Sequence, residues 1–134
     1  MAGKTVGFVG FGRIGQIVAR RLAGFEIKVL FFDPVVKSCD LPYAKAASIE
    51  DVFKLSDIVT MHMPLMDSTR KMITEKYLRL MKKTAILINA ARGGIVNEDD
   101  LFTCLKEGVI RGAGFDVFAN EPLQKDACKR VEVE

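Results

Sequence analysis

The sequence predicts an α/β fold, a doubly wound parallel sheet in one domain with helices on both faces. Three observations carry this expectation. Short apolar runs alternate with helical patterns along the chain, as crossover-connected parallel strands require. The first run, residues 5–9, leads into the glycine-rich string Gly10-Phe11-Gly12-Arg13-Ile14-Gly15 and then a helical pattern. The length, 134 residues, supports one hydrophobic core and is too short for two.

The elements follow in order. Residues 5–9 read as a buried strand, and residues 13–23 as a helix with Ile14, Ile17, Val18 and Leu22 on one face. Gly24 is expected to close that helix. A second strand spans 27–32 and ends at Asp33-Pro34, since proline cannot extend a strand ladder. Residues 35–47 read as irregular, with a short strand near 44–46. Ser48 caps a short helix, with Asp51 as its partner three residues on. A strand at 58–61 stops before Pro64. Thr74 caps a helix over 75–81, which precedes a strand at 85–88. Asn97 caps a helix over 98–106 that Gly108 ends, and residues 109–115 lead into a last strand ending near Asp116.

Composition narrows the function. Hydrophobic residues make up 49% and charged residues 28%, an ordinary globular balance. No apolar run reaches the roughly 18 residues of a membrane-spanning helix. Residues 1–4 have no secretory-signal character, and the expected location is cytoplasmic. The net charge of +3 is spread along the chain, which argues against nucleic acid as a partner. Cys39, Cys104 and Cys128 are far apart and outside any C-x-x-C pattern, and His62 is the single histidine. Neither a disulfide framework nor a metal site is expected.

The glycine string gains its meaning from context. It follows a strand, opens a helix, and is answered by Asp33 at the end of the next strand, about 20 residues on. This is the dinucleotide fingerprint of the Rossmann fold. Gly10 permits the tight turn, Gly12 lets the backbone approach a pyrophosphate, and Gly15 lets the helix pack against the sheet. Arg13 and Ile14 open the helix, whose free N–H groups and positive dipole end favour phosphate. The Arg13 side chain either touches phosphate or points to solvent. Asp33, followed by Pro34, is expected to accept hydrogen bonds from the adenosine ribose and to repel a 2′-phosphate. NAD is therefore the expected cofactor.

The second half carries a resemblance. Residues 81–97, M-K-K-T-A-I-L-I-N-A-A-R-G-G-I-V-N, resemble a signature of the D-isomer-specific 2-hydroxyacid dehydrogenases. Residues 56–64, S-D-I-V-T-M-H-M-P, continuing to Thr69, resemble a second, and residues 114–122, G-F-D-V-F-A-N-E-P, a third. The resemblance covers residues 3 to about 123. Its tone is nearest to phosphoglycerate dehydrogenase and its hydroxypyruvate or glyoxylate reductase relatives.

The resemblance implies reversible hydride transfer between NAD and C2 of a small 2-hydroxy or 2-oxo acid. It makes Arg92 the group that binds the substrate carboxylate and oxo oxygen, a task suited to a planar guanidinium with parallel donors. Glu121 matches the carboxylate that pairs with a catalytic histidine and raises its pKa. Asp116 matches the aspartate near the nicotinamide carboxamide. Pro64, Thr69, Ala90 and Ala91 line the cofactor. His62 matches the residue before the proline of the cofactor wall, a pocket or packing position and not the proton donor.

The resemblance also implies a P-H-x-G segment bearing the catalytic histidine and a substrate domain, neither of which these residues contain. Residues 3–123 are expected to form the cofactor domain, 124–134 a tail of undefined structure, and the chain to be a truncated or excised piece that turns over poorly. Dimerisation through the cofactor domain is implied as well. Two alternatives stand beside this reading: an NAD(H)-sensing interaction module resembling the co-repressor branch of the family, and a fold that has lost its ligand.

Overall fold

The computed structural model describes residues 1–119. Six strands form one parallel sheet: β1 Thr5–Val9, β2 Lys28–Phe32, β3 Ala44–Ala46, β4 Ile58–Met61, β5 Ile86–Asn89 and β6 Gly112–Phe115. Their spatial order is β3-β2-β1-β4-β5-β6, with every neighbouring pair parallel. The chain winds outward from β1, then returns to place β4 on its other side. That reversal makes the crevice between β1 and β4 the topological switch point, where open α/β sheets bind ligands.

Alternation along the strands separates two cores. Val6 and Phe8 of β1, with Val29 and Phe31 of β2, face the helix α1, Arg13–Leu22. Val9, Val59, Met61 and Leu87 point the other way, toward α2 Ile49–Leu55, α3 Glu75–Leu78 and α4 Glu98–Lys106. Buried on both faces, the central strands read as continuous apolar runs, as parallel sheets require.

Local signals set several boundaries as expected. Ser48 accepts from the Asp51 N–H at 3.1 Å, and Asn97 accepts from the Asp100 N–H at 3.2 Å, so both capped helices begin where their caps stand. Gly108 takes a positive φ of 69° just beyond α4.

Other features differ. The inward face of α1 is Gly15 and Ala19, with Val18 and Leu22 half-buried; Ile14 is 63% and Ile17 41% exposed. The reason is proximity. A Cβ on Gly15 would stand 3.0 Å from the Gly10 carbonyl oxygen, so only small residues fit between helix and sheet. Gly24 does not end α1 in a left-handed conformation. A 3-10 turn over Ala23–Phe25 continues the helix, and Glu26 supplies the positive φ of 55°. α3 stops at Leu78 instead of residue 81, and Thr74 makes no side-chain cap bond; Asp100 of α4 accepts the Glu75 N–H at 2.9 Å in its place.

Candidate dinucleotide site at the carboxyl edge of the sheet

The strand register brings the expected site residues together. Val9 is level with Phe32 and with Met61, Met61 with Asn89, and Asn89 with Phe115. Five strands thus end in one row, and the next residues, Gly10, Asp33, His62, Ala90 and Asp116, stand along one edge. Sequence separations of more than 100 residues are closed by the sheet alone.

The glycines of the turn face different constraints. Gly10 has φ +92°, and a Cβ there would come within 2.7 Å of the His62 backbone. This is the tight approach between the ends of β1 and β4. Gly15 is limited by the Gly10 carbonyl. Among the described residues nothing lies within 4 Å of a Cβ on Gly12, and its φ of −75° is open to any L-residue. The space above Gly12 is therefore a cradle that a side chain would fill.

The helix behind this cradle suits an anion. α1 has no side-chain cap and no acidic residue in its first turn, whereas α2 and α4 have a capping side chain and acidic first turns. The N–H groups of a helix's first turn have no partner within the helix, and here no capping side chain or acidic first-turn residue competes for them. Arg13 and Ile14 are exposed at this end. The open cradle, the uncapped helix and the close glycines fit a dinucleotide pyrophosphate.

Asp33 is engaged with the turn itself. Its Oδ2 accepts the Phe11 N–H at 2.7 Å, and its Oδ1 accepts the Val35 and Val36 N–H groups at 2.8 and 2.9 Å. Burial opposes its ionisation, but these amides and the Lys37 charge outweigh burial and hold the carboxyl below its ordinary range. Pro34 is exposed beside it. The Phe11 ring, fully buried, stacks on Phe31 at 4.1 Å, so Phe11 is fixed through both its ring and its amide.

His62 stands half-buried against the turn at Gly10. Its ring stacks on Phe8 at 5.4 Å, and Nε2 lies 3.1 Å from the Thr60 hydroxyl. Its partial burial pushes its pKa below the ordinary 6.5, favouring the neutral imidazole. In the following loop Pro64 is exposed, and Thr69 is buried with its hydroxyl committed locally. It accepts from the Met66 N–H at 2.8 Å and donates to the Pro64 carbonyl at 2.7 Å. Thr69 therefore shapes the loop that carries Pro64.

Ala90, Ala91 and Arg92 follow β5, with Ala90 and Arg92 exposed and Ala91 half-buried. The sequence reading missed the residue that orders them. Asn89, 1% exposed, donates from Nδ2 to the Arg92 carbonyl at 3.0 Å and accepts the Ala91 N–H at 3.1 Å on Oδ1. A polar residue ending the apolar run I-L-I-N was the available signal. Gly93 was missed too: a Cβ there would overlap the Phe118 carbonyl, so glycine lets the segment after β6 lie against the Arg92 loop. Glu98 of α4 holds the same segment by accepting the Ala119 N–H at 2.7 Å. Asp116 is exposed, and its N–H donates to the Asn89 carbonyl at 3.1 Å. Glu121 lies outside the described residues.

Comparison with known proteins gives the family. Residues 1–132 match the family described as D-isomer specific 2-hydroxyacid dehydrogenase, NAD binding domain. The chain is 50% identical over 127 residues to a glyoxylate reductase of Thermococcus kodakarensis, covering 92% of this chain and 38% of that protein. It is 43% identical over 133 residues to a putative 2-hydroxyacid dehydrogenase of Bacillus subtilis, covering 99% and 38%. Among solved structures, the NAD-dependent formate dehydrogenase of Staphylococcus aureus in complex with NAD superposes with a TM-score of 0.89 at 38% identity, covering 94% of this chain and 38% of that one. The chain spans about 38% of the length of these relatives. Glyoxylate reductases, not phosphoglycerate dehydrogenases, stand among these similar proteins. No helix of the described residues is long and apolar enough to cross a membrane. The chain belongs to the NAD-binding domain family of the D-isomer specific 2-hydroxyacid dehydrogenases.

Proposed function

We propose that this chain is the cofactor-binding part of an NAD-dependent reductase of small 2-oxo acids, of which glyoxylate is the nearest model substrate. The observation that carries this reading is the level row of strand ends, which places the glycine turn, Asp33 and the Arg92 loop along one edge. The nicotinamide, when bound, supplies or receives the hydride at C2 of the acid. The chain's own residues bind and orient. The α1 N-terminus and Gly12 hold the pyrophosphate, and Asp33 faces the adenosine ribose. Pro64 and Ala90 flank the bound cofactor, and Asp116 meets the carboxamide. Arg92 is exposed, and its Nη1 donates to the Ala91 carbonyl of its own loop, 2.7 Å away. A guanidinium has five N–H donors, enough to keep this bond, take a carboxylate in a bidentate pair and polarise the neighbouring carbonyl. Glu121 fits the role of a carboxylate that would keep a partner imidazole protonated.

His62 does not fill the proton-donor role. It is half-buried beside the turn, its pKa is lowered by desolvation, and its Nε2 lies within hydrogen-bonding distance of the Thr60 hydroxyl. The 134-residue polypeptide should therefore bind NADH while catalysing little or no glyoxylate reduction. Nicotinamide fluorescence during an NADH titration tests the first half, with Gly12→Val as the control that fills the cradle. Absence of binding in the parent chain, or equal binding in the control, would sink the reading. Rapid NADH oxidation with glyoxylate would overturn the second half. Dimerisation through this domain belongs to the same proposal, and light scattering measures it.

A further inference from the structure

We propose that Asp33 is a positioning residue built into the glycine turn, so that making it neutral weakens binding of every pyrophosphate ligand instead of shifting preference from NAD to NADP. The inference rests on the reading that this turn holds the cofactor pyrophosphate.

An acidic residue at this strand end is ordinarily read as a filter, whose charge repels a 2′-phosphate and whose oxygens take the ribose hydroxyls. The geometry here assigns Asp33 a prior task. A carboxylate offers about four lone-pair directions. Three are filled by backbone N–H groups of the chain itself, those of Phe11, Val35 and Val36. About one direction remains for a ribose hydroxyl. The three amides come from the two segments that must stay in register: the turn after β1 and the loop after β2.

The turn is tied to β2 at consecutive residues. Gly10 donates to the Phe32 carbonyl at 2.8 Å, and Phe11 donates to Asp33 Oδ2 at 2.7 Å. Phe11 immediately precedes Gly12, the residue whose open space forms the cradle. Lys37 adds a fourth contact, donating from Nζ to the Asp33 carbonyl at 2.9 Å and closing the loop 33–37 around the carboxylate. The Phe11 ring is already locked against Phe31, so losing the carboxylate leaves the Phe11 N–H without an acceptor while its side chain cannot move to find one.

Charge makes the inference decidable by sign. If Asp33 acts only as a charge and ribose reader, neutralising it costs ADP and adenosine the same ribose hydrogen bonds, while NADPH loses a repulsion and tightens. If it fixes the turn, the same change loosens the N–H groups that receive phosphate, so ADP weakens more than adenosine and NADPH does not tighten. The test is nuclear magnetic resonance on the 134-residue polypeptide, parent and Asp33→Asn, without ligand and with NADH, NADPH, ADP and adenosine.

The expected result has three parts. Hydrogen exchange of the Phe11 amide in the unliganded protein speeds up by about tenfold or more, the loss expected for a hydrogen bond to a charged acceptor. NADH and ADP weaken by about tenfold, by the same reasoning. NADPH does not tighten, and adenosine weakens less than ADP. Unchanged Phe11 exchange, tighter NADPH binding, or adenosine weakening as much as ADP would overturn the proposal. Faster Phe11 exchange in a parent chain that binds no nucleotide would uphold the brace and sink the cofactor reading. If the variant does not fold, the parent protein decides: on acidification the Phe11, Val35 and Val36 amide resonances must titrate together. Independent movement would refute the shared carboxylate.

Discussion

The side chain of Asn89 closes the loop that presents Arg92, donating to the Arg92 carbonyl at 3.0 Å and accepting the Ala91 N–H at 3.1 Å. Its burial makes both bonds costly to lose, because water does not replace them without opening the end of β5. Asn89→Leu should lower unfolding free energy by about 1–3 kcal/mol, the cost of stranding polar partners. Urea denaturation measures it. Equal stability of parent and variant would show that the loop is ordered by its backbone alone.

Gly10 and Gly12 should separate folding from binding. Gly10→Ala combines a disfavoured positive φ with contact on the His62 backbone and should cost roughly 2–5 kcal/mol. Gly12→Ala meets no protein atom within 4 Å and should leave stability within about 1 kcal/mol of the parent. Only NADH affinity should fall in that variant. Paired denaturation and fluorescence titrations check both halves, and a Gly12→Ala protein that unfolds early would refute the cradle.

His62 should make stability depend on pH through its burial. The unfolded chain protonates this imidazole near its ordinary pKa of 6.5, while the folded chain resists because burial disfavours the charge. Stability from the neutral ring is thus complete above about pH 6.5 and is lost as pH falls toward the depressed folded value. His62→Phe, which keeps an aromatic ring over Phe8, should flatten the stability profile in that window. An unchanged slope would place the titration elsewhere.

Asp57 governs the opposite end of the sheet. Its Oδ2 accepts the Thr5 N–H at 2.9 Å, and Oδ1 meets Lys82 Nζ at 3.1 Å. Burial opposes its ionisation, but the Thr5 amide, Lys82 and Lys4 together hold its pKa below the ordinary 3.8. This stability is present above about pH 3.8 and disappears as pH drops through the folded value. Asp57→Asn should cost about 1–2 kcal/mol at neutral pH, chiefly through the amide bond, since the half-exposed Lys82 bridge adds little. Denaturation at pH 7 and pH 3 should show that difference narrowing in acid.

The sequence by itself determined what depends on neighbours along the chain. The glycine turn, the capped starts at Ser48 and Asn97, the helix Glu98–Lys106 and the apolar strands are short-range patterns. The turn, caps and helix stand where they were read, the strands at 27–32 and 85–88 each begin one residue later, and the last begins only at Gly112. The cofactor class was legible because turn and acid lie within one βαβ unit. The tertiary structure decided what depends on distance across the fold. It turned Gly15 and Ala19 of α1 inward, because the close approach at Gly10 leaves room only for small side chains. It gave the capping of α3 to Asp100, and it buried Asn89 under Arg92. It also filled most of the Asp33 carboxylate with backbone amides before any nucleotide arrives. Such contacts join residues whose separation in sequence carries no periodic signal, and only the parallel register of the sheet brings them within hydrogen-bonding reach.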